Sequence, residues 1–273
     1  DTGATSSGAA TLTLTGNSSF ALNGVTASSG DLTVSGSAAT GTVTIVGTDW
    51  TGSSTLTGGS AADTIAGGSG VDIITGGDGA DSLTGNAGND KLYGGGGADT
   101  LIASAGSDSI EGGAGNDTIT MVANYTTGDT IDGGAGTDTI SMTLATTIAA
   151  SISAVETYNV TYNTGGGLNA SSITGASTMN VIAGSGTLAT ITNLMTGVTV
   201  ANGTTAAEAE TITIDTVADA TLTVKLDDAA SGALTITDAA TVTITGEDAA
   251  ATTSVANTVL DSSDTTSLTI AGA

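Results

Sequence analysis

The chain has 273 residues, with 27 acidic side chains against two basic ones, Lys91 and Lys225, for a net charge of −25 and no Arg, His, Cys or Pro. Such a balance repels nucleic acid and anionic membrane surfaces. It also removes disulfides, soft-metal ligands, phosphate clamps, and catalytic triads or thiol nucleophiles. Hydrophobic residues make up 38% of the chain, too many for a disordered acidic tail, while aromatics are only 2%. Thin strands stacked through tight turns suit that composition, and cations are needed to neutralise the compact state. No apolar run is long enough to span a membrane as a helix. Because the chain starts at Asp1 without a charged-then-apolar leader, it reads as a piece of a longer protein.

Residues 1–57 contain TLTLTG, DLTVSG and GTVTIVG, in which apolar and polar residues alternate and a glycine closes each run. These are short strands ended by turns, and they predict a β-rich, solenoid-like segment. From Gly58 the period becomes nine: GGSAADTIA, GGSGVDIIT, GGDGADSLT, GNAGNDKLY, GGGGADTLI, ASAGSDSIE and GGAGNDTIT. A three-residue insertion, Met121 to Ala123, precedes NYTTGDTID and GGAGTDTIS, so nine units cover 58–141. The sixth position is always Asp: Asp63, Asp72, Asp81, Asp90, Asp99, Asp108, Asp117, Asp129 and Asp138. The eighth is always Ile or Leu. Of the 42 glycines, 22 fall in this block, which sets it apart from its flanks. Beyond it, 142–273 returns to alternating strands such as VETYNVTY, ETITIDT, ATLTVKL and ATVTITG. A solenoid is expected there, with a β-sandwich as the alternative. Nothing reads as a helix.

The units match the nonapeptide G-G-x-G-x-D-x-U-x, and the block resembles the RTX repeat family, whose members form a calcium-loaded parallel β-roll. The expected fold is therefore all-β, a parallel β-roll or β-helix solenoid with calcium-binding turns at 58–141. The physics of the residues agrees. In GGxGxD the glycines permit positive φ and close backbone approach, and x-U-x forms a strand with its middle side chain inward. Two units make one coil of about 18 residues, so that Asp63, Asp81, Asp99 and Asp117 stack in one column and Asp72, Asp90 and Asp108 in the other. Asp129 and Asp138 extend the two series across the insertion.

Stacked carboxylates roughly 4.8 Å apart repel by about 3 kcal/mol at an effective dielectric near 20, and a cation between them reverses the sign. Calcium fits, because it takes six to eight oxygen ligands. The carboxylates supply some of these. The rest are carbonyls of the first glycines, Gly58, Gly67, Gly76, Gly85, Gly94, Gly112 and Gly133, and of the fourth-position glycines, Gly70, Gly79, Gly88, Gly97, Gly106, Gly115 and Gly136. Five regular calcium sites are expected, with more across the insertion. Departures from the pattern are Ala61, Asn86, Ala103 and Ser104, of which Asn86 tolerates a left-handed backbone, so the turn at Ala103 and Ser104 is where irregularity is expected. The acids Asp215, Asp219, Asp227, Asp228, Asp238, Glu247, Asp248, Asp261 and Asp264 read as solvated turn residues, with further calcium sites at contacts between molecules as the alternative. The sequon asparagines Asn17, Asn159, Asn169 and Asn202 read as unmodified.

No nucleophile elbow, phosphate loop or zinc motif is present, so no enzyme activity is expected. Three non-catalytic roles fit the resemblance. The first is a structural component of a bacterial surface layer, secreted through a type I pathway, folding and self-assembling on calcium and anchored to surface glycolipid or polysaccharide through flanking sequence. The others are a secreted adhesin and a folding module of an exported enzyme or toxin. An ice-binding adhesin calls for a flat outward rank of Thr, which Thr64, Ile73, Ser82, Lys91, Thr100, Ser109 and Thr118 interrupt.

Overall fold

The computed structural model describes residues 9–23, 30–121, 125–144, 148–149, 151–162, 167–183, 188–195, 197–202, 211–226, 234–246, 258–261 and 267–271. Among these there is no helix, and the strands pair in parallel to build a β-solenoid. The chain divides into two compact units, Asp1–Ile140 with Ile152–Val155, and Ser141–Ser151 with Glu156–Ala273.

In the first unit, alternate strands go to alternate sheets. One sheet has eight strands: Ala10–Gly16, Leu32–Ala39, Ser54–Thr57, Asp72–Asp78, Lys91–Gly96, Ser109–Ala114, Thr130–Ala135 and Ile152–Ser153. The other contains Phe20–Leu22, Val43–Val46, Thr64–Ala66, Ser82–Thr84, Thr100–Ala103 and Thr118–Met121. Period-2 alternation turns one side chain of each strand inward, and the parallel register stacks like on like. Leu56, Ile74, Leu92, Ile110, Ile131 and Ile152 form one inward ladder. Ile45, Ile65, Leu83, Leu101 and Ile119 form the second. All of these side chains are buried. At 25 cal/mol per Å² such ladders supply the apolar driving force, and a parallel stack can be extended coil by coil without a wide core.

The strands of the first sheet outlast the three residues x-U-x, since Asp72–Asp78 and Lys91–Gly96 run on into the glycines. Upstream coils are longer, with Ala10 paired to Leu32 and Leu32 to Ser54, a step of 22 residues. Trp50 sits in the extra length of one such coil, 1% exposed, where its carbonyl accepts the Ser69 N–H at 2.8 Å.

The outward residues after each Asp do not make one rank, because successive units face opposite ways. Thr44, Thr64, Ser82, Thr100 and Thr118 align on one sheet, an unbroken row of hydroxyls. The interruptions read from the sequence, Ile73, Lys91 and Ser109, lie together on the other sheet.

The second unit is also built from parallel ladders, outside the nonapeptide repeats. Tyr158 stacks on Met179 and Met179 on Val200, while Leu168, Ile191, Ile214 and Ile236 form a further inward row. Asn180 donates to Asn159 at 2.7 Å, and Asn193 to Asn169 at 3.0 Å. Two of the sequon asparagines are thus held in side-chain ladders. Asp215 and Asp261 close regular stretches of pairing and Asp219 and Asp238 fall within strands, whereas Asp227, Asp228, Glu247, Asp248 and Asp264 lie outside the described residues.

Leu92 is fully buried between Ile74 and Ile110. Leu92→Ala is therefore expected to lower stability by about 2–5 kcal/mol, and Thr100→Ala, exposed on the outer face, by less than about 0.5 kcal/mol. Urea unfolding of the calcium-saturated protein measures both.

Candidate metal centre

The register places the repeat aspartates in two columns at the turns between the sheets, and each of the nine is at most 2% exposed. One oxygen of each carboxylate joins the coils. The backbone N–H of Asp63 donates to Asp81 Oδ1 at 2.7 Å, Asp81 to Asp99 at 2.8 Å, Asp99 to Asp117 at 2.8 Å and Asp117 to Asp138 at 2.7 Å. In the second column Asp72 donates to Asp90 at 2.9 Å, Asp90 to Asp108 at 2.9 Å and Asp108 to Asp129 at 2.7 Å. The step is 18 residues, and 21 across the insertion, and neither column is broken there. Hydrogen bonds to a charged acceptor are the strong kind, and here they fix the rotamer of every Asp.

The other oxygen is the site's main feature. Oδ2 of Asp81, Asp90, Asp99, Asp108 and Asp117 is buried and has no hydrogen-bond partner. Leaving buried carboxylate oxygens unsatisfied is costly, and a repeated row of them asks for a ligand. Oδ2 of Asp81, Asp90, Asp99 and Asp117 lies against the first glycine of its own turn, a position that Ala103 takes in the Asp108 turn. A Cβ placed on Gly76 would meet Asp81 Oδ2 and, at 2.7 Å, the carbonyl oxygen of Gly94, the first glycine of the next coil. Gly94 repeats this with Asp99 Oδ2 and the Gly112 carbonyl, and Gly112 with Asp117 Oδ2 and the Gly133 carbonyl. The position a side chain would take at each of these glycines is thus already crowded by one carboxylate oxygen and one carbonyl oxygen, which brings the two donors together and leaves room only for glycine. Among the described residues no three acidic side chains cluster, so any cation here is held by carboxylates together with backbone oxygens. That donor set is hard and all-oxygen, and it fits calcium.

The two glycine sets have different tasks. Carbonyls of Gly76, Gly85, Gly94, Gly112 and Gly133 are first-position groups, and those of Gly85, Gly94, Gly112 and Gly133 approach the first glycine of the coil before. The fourth-position glycines stack instead on one another. A Cβ on Gly97 would strike the Gly79 carbonyl, and φ is 127° at Gly97 and 136° at Gly115. Asn86 takes the left-handed backbone expected of it, φ 69°, and its amide donates to the Gly67 carbonyl at 2.8 Å. Ala61, Ala103 and Ser104 avoid positive φ, and Ala103 is buried at the end of a strand. Its turn still delivers Asp108 to the column, although a methyl group stands at the first position where the other turns have none.

Some residues of the site were not singled out from the sequence. Ser54 N–H and Oγ donate to Asp72 Oδ1 at 2.8 and 2.7 Å, and Val43 N–H donates to Asp63 Oδ1 at 2.6 Å. Ser54 stands 18 residues before Asp72, so the coil length was the signal that locates it. Asn89 and Asn116 accept the N–H of Ser107 and Thr137, each at 2.9 Å, adding outer rungs to the same stack.

Burial raises the carboxyls, with backbone N–H donors offsetting it in part and neighbouring carboxylates adding to it. Asp81 and Asp90 are pushed up to about 7 and Asp117 to about 6, and Asp99 and Asp108 are raised as well, Asp99 by burial alone. A carboxyl whose pKa is higher folded than unfolded binds more protons in the fold. The cation-free fold is therefore most stable in acid and loses that stability as pH rises from the ordinary 3.8 through about 7. Chelated protein is expected to keep its β spectrum near pH 4.5 and to unfold towards pH 8, whereas calcium-saturated protein holds it throughout; circular dichroism across pH checks this.

The profile of the RTX calcium-binding nonapeptide repeat matches four times, over residues 51–83, 67–101, 93–120 and 127–141. No curated protein and no solved structure matches the chain.

Proposed function

We propose that this chain, which carries RTX calcium-binding nonapeptide repeats, is a structural element of a bacterial surface layer that folds on calcium outside the cell and then associates with copies of itself. The observation that carries the reading is the row of buried, unpartnered carboxylate oxygens facing glycine carbonyls. When bound, calcium supplies compensating positive charge and an oxygen-seeking coordination shell. The residues of the chain do the rest: Oδ1 locks each coil to the next, the glycines let Oδ2 and the carbonyl of the next coil approach closely, and the inward ladders hold the coils in register. Such a chain stays unfolded where free calcium is scarce, which suits export in an unfolded state, and folds where calcium is plentiful. We assign it no catalytic role, since the acids at the repeated sixth position are accounted for by the columns.

Self-association follows from charge. At −25 per chain, copies repel each other within a Debye length of about 10 Å at 0.1 M salt. Two lysines cannot offset this, whereas divalent ions at outward acids neutralise and join neighbours. The Thr44, Thr64, Ser82, Thr100 and Thr118 row favours the adhesin as the second reading, because it offers a regular hydroxyl surface to a ligand. Light scattering and electron microscopy of the intact protein separate the two. Ordered arrays are expected with calcium and not with sodium chloride at the same ionic strength. A folded protein that remains monomeric at high concentration in calcium contradicts the surface-layer reading and favours an adhesin or module.

A further inference from the structure

The nine aspartates are identical in sequence position, yet their second oxygens are not in the same state. In Asp63, Oδ2 accepts the Gly59 N–H at 2.6 Å, and in Asp72 it accepts the Gly68 N–H at 2.7 Å. Their Oδ1 atoms are occupied too, by Val43 and by Ser54. Asp129 at the far end of the second column accepts the Asp108 N–H on Oδ1 and the Thr126 N–H on Oδ2, the latter at 2.6 Å. Both oxygens of these three carboxylates accept hydrogen bonds from the protein, and the three are the first of one column and both ends of the other.

The backbone explains the difference at the column starts. The Asp63 and Asp72 turns rest on coils that lack the repeat, with Ser60 N–H bound to the Ala39 carbonyl and Ser69 N–H to that of Trp50. Gly59 and Gly68 keep negative or extended φ there, and their N–H groups point at the carboxylate. In the next turns Gly77, Asn86, Gly95 and Gly113 are left-handed, with φ of 120°, 69°, 110° and 109°. No N–H from those positions reaches the carboxylate, and Oδ2 of Asp81, Asp90, Asp99 and Asp117 is left open. At these four turns the flip of the second residue removes the N–H that closes the Asp63 and Asp72 turns; the Asp108 turn, with Ser104 at that position and no left-handed residue there, also leaves Oδ2 without a partner.

We propose that Asp63, Asp72 and Asp129 are terminators of the columns that take no cation, and that cations are held at the open turns of Asp81, Asp90, Asp99 and Asp117. The inference rests on the calcium reading of the repeats and sharpens it by sorting seven of the nine aspartates into two classes. It also divides the two columns: the one through Asp81, Asp99 and Asp117 is closed at its Asp63 start, while the other is closed at both ends. The N–H groups of Gly59, Gly68 and Thr126 act as the protein's own substitutes for an ion at Oδ2 of those ends.

A long-wavelength anomalous difference map of the full chain crystallised with calcium tests it without any variant. Peaks are expected 2.3–2.6 Å from Oδ2 of Asp81, Asp90, Asp99 and Asp117, and none at that distance from Asp63, Asp72 or Asp129. A peak at ligand distance from any of those three overturns the proposal. A map with no peak on either column contradicts the calcium reading itself, and so is told apart from that failure. In solution, folded Asp72→Asn keeps the wild-type calcium count at saturation, whereas Asp81→Asn loses at least one ion. A reduced count in folded Asp72→Asn also overturns the assignment.

Discussion

A carboxylate can be buried only if something else completes its coordination, and this fold buries a row of them at the inter-coil spacing. Every other feature of the repeat block answers to that constraint. The first glycines are there because a side chain would fill the space that Oδ2 faces, as at Gly76 with Asp81 and Gly94. The fourth-position glycines let each turn sit directly on the one before. The ladders of Ile and Leu hold the coils in register, so that one Asp follows another at hydrogen-bonding distance. Without compensation, like charges roughly 4.8 Å apart at a dielectric near 20 oppose each other by about 3 kcal/mol per neighbour. A protein is stable by only about 5–15 kcal/mol, so a few such contacts decide whether it folds.

That dependence turns a structural element into a sensor of its surroundings. Burial, with a smaller part from neighbouring carboxylates, lifts Asp81 and Asp90 to about 7, so acid relieves the penalty by protonating them. A divalent cation relieves it at neutral pH, where it is needed. The second unit, with its Tyr158, Met179 and Val200 stack and its asparagine rungs, is built on apolar and amide ladders instead. The two units therefore answer differently to chelation, the first through its columns and the second through its core.

Much of this was legible in the sequence because a nine-residue period imposes itself on both chemistry and geometry. The position of Asp99 between Asp81 and Asp117 follows from counting two units per coil, and so does the pairing of Leu92 with Ile110. What counting does not reveal is the direction a peptide plane takes. Gly58–Gly59 and Gly76–Gly77 read alike, yet only Gly77 is left-handed, because it stacks on the Gly59 carbonyl whereas Gly59 stacks on Ala39 in a non-repeat coil. The role of Oδ1 was hidden for a similar reason, since it depends on a side-chain rotamer fixed by the coil before. The outward ranks were misread as one, because their residues alternate between two faces and only the fold separates Thr100 from Lys91.

The central claim is that the columns hold the first unit together only when a cation completes them. Hydrogen exchange of the Asp63, Asp81 and Asp99 backbone amides reports it most directly, since each donates into the column. At neutral pH these amides are expected to exchange freely after chelation and to become protected together as calcium is added. Protection that is already complete in calcium-free buffer at neutral pH contradicts the account.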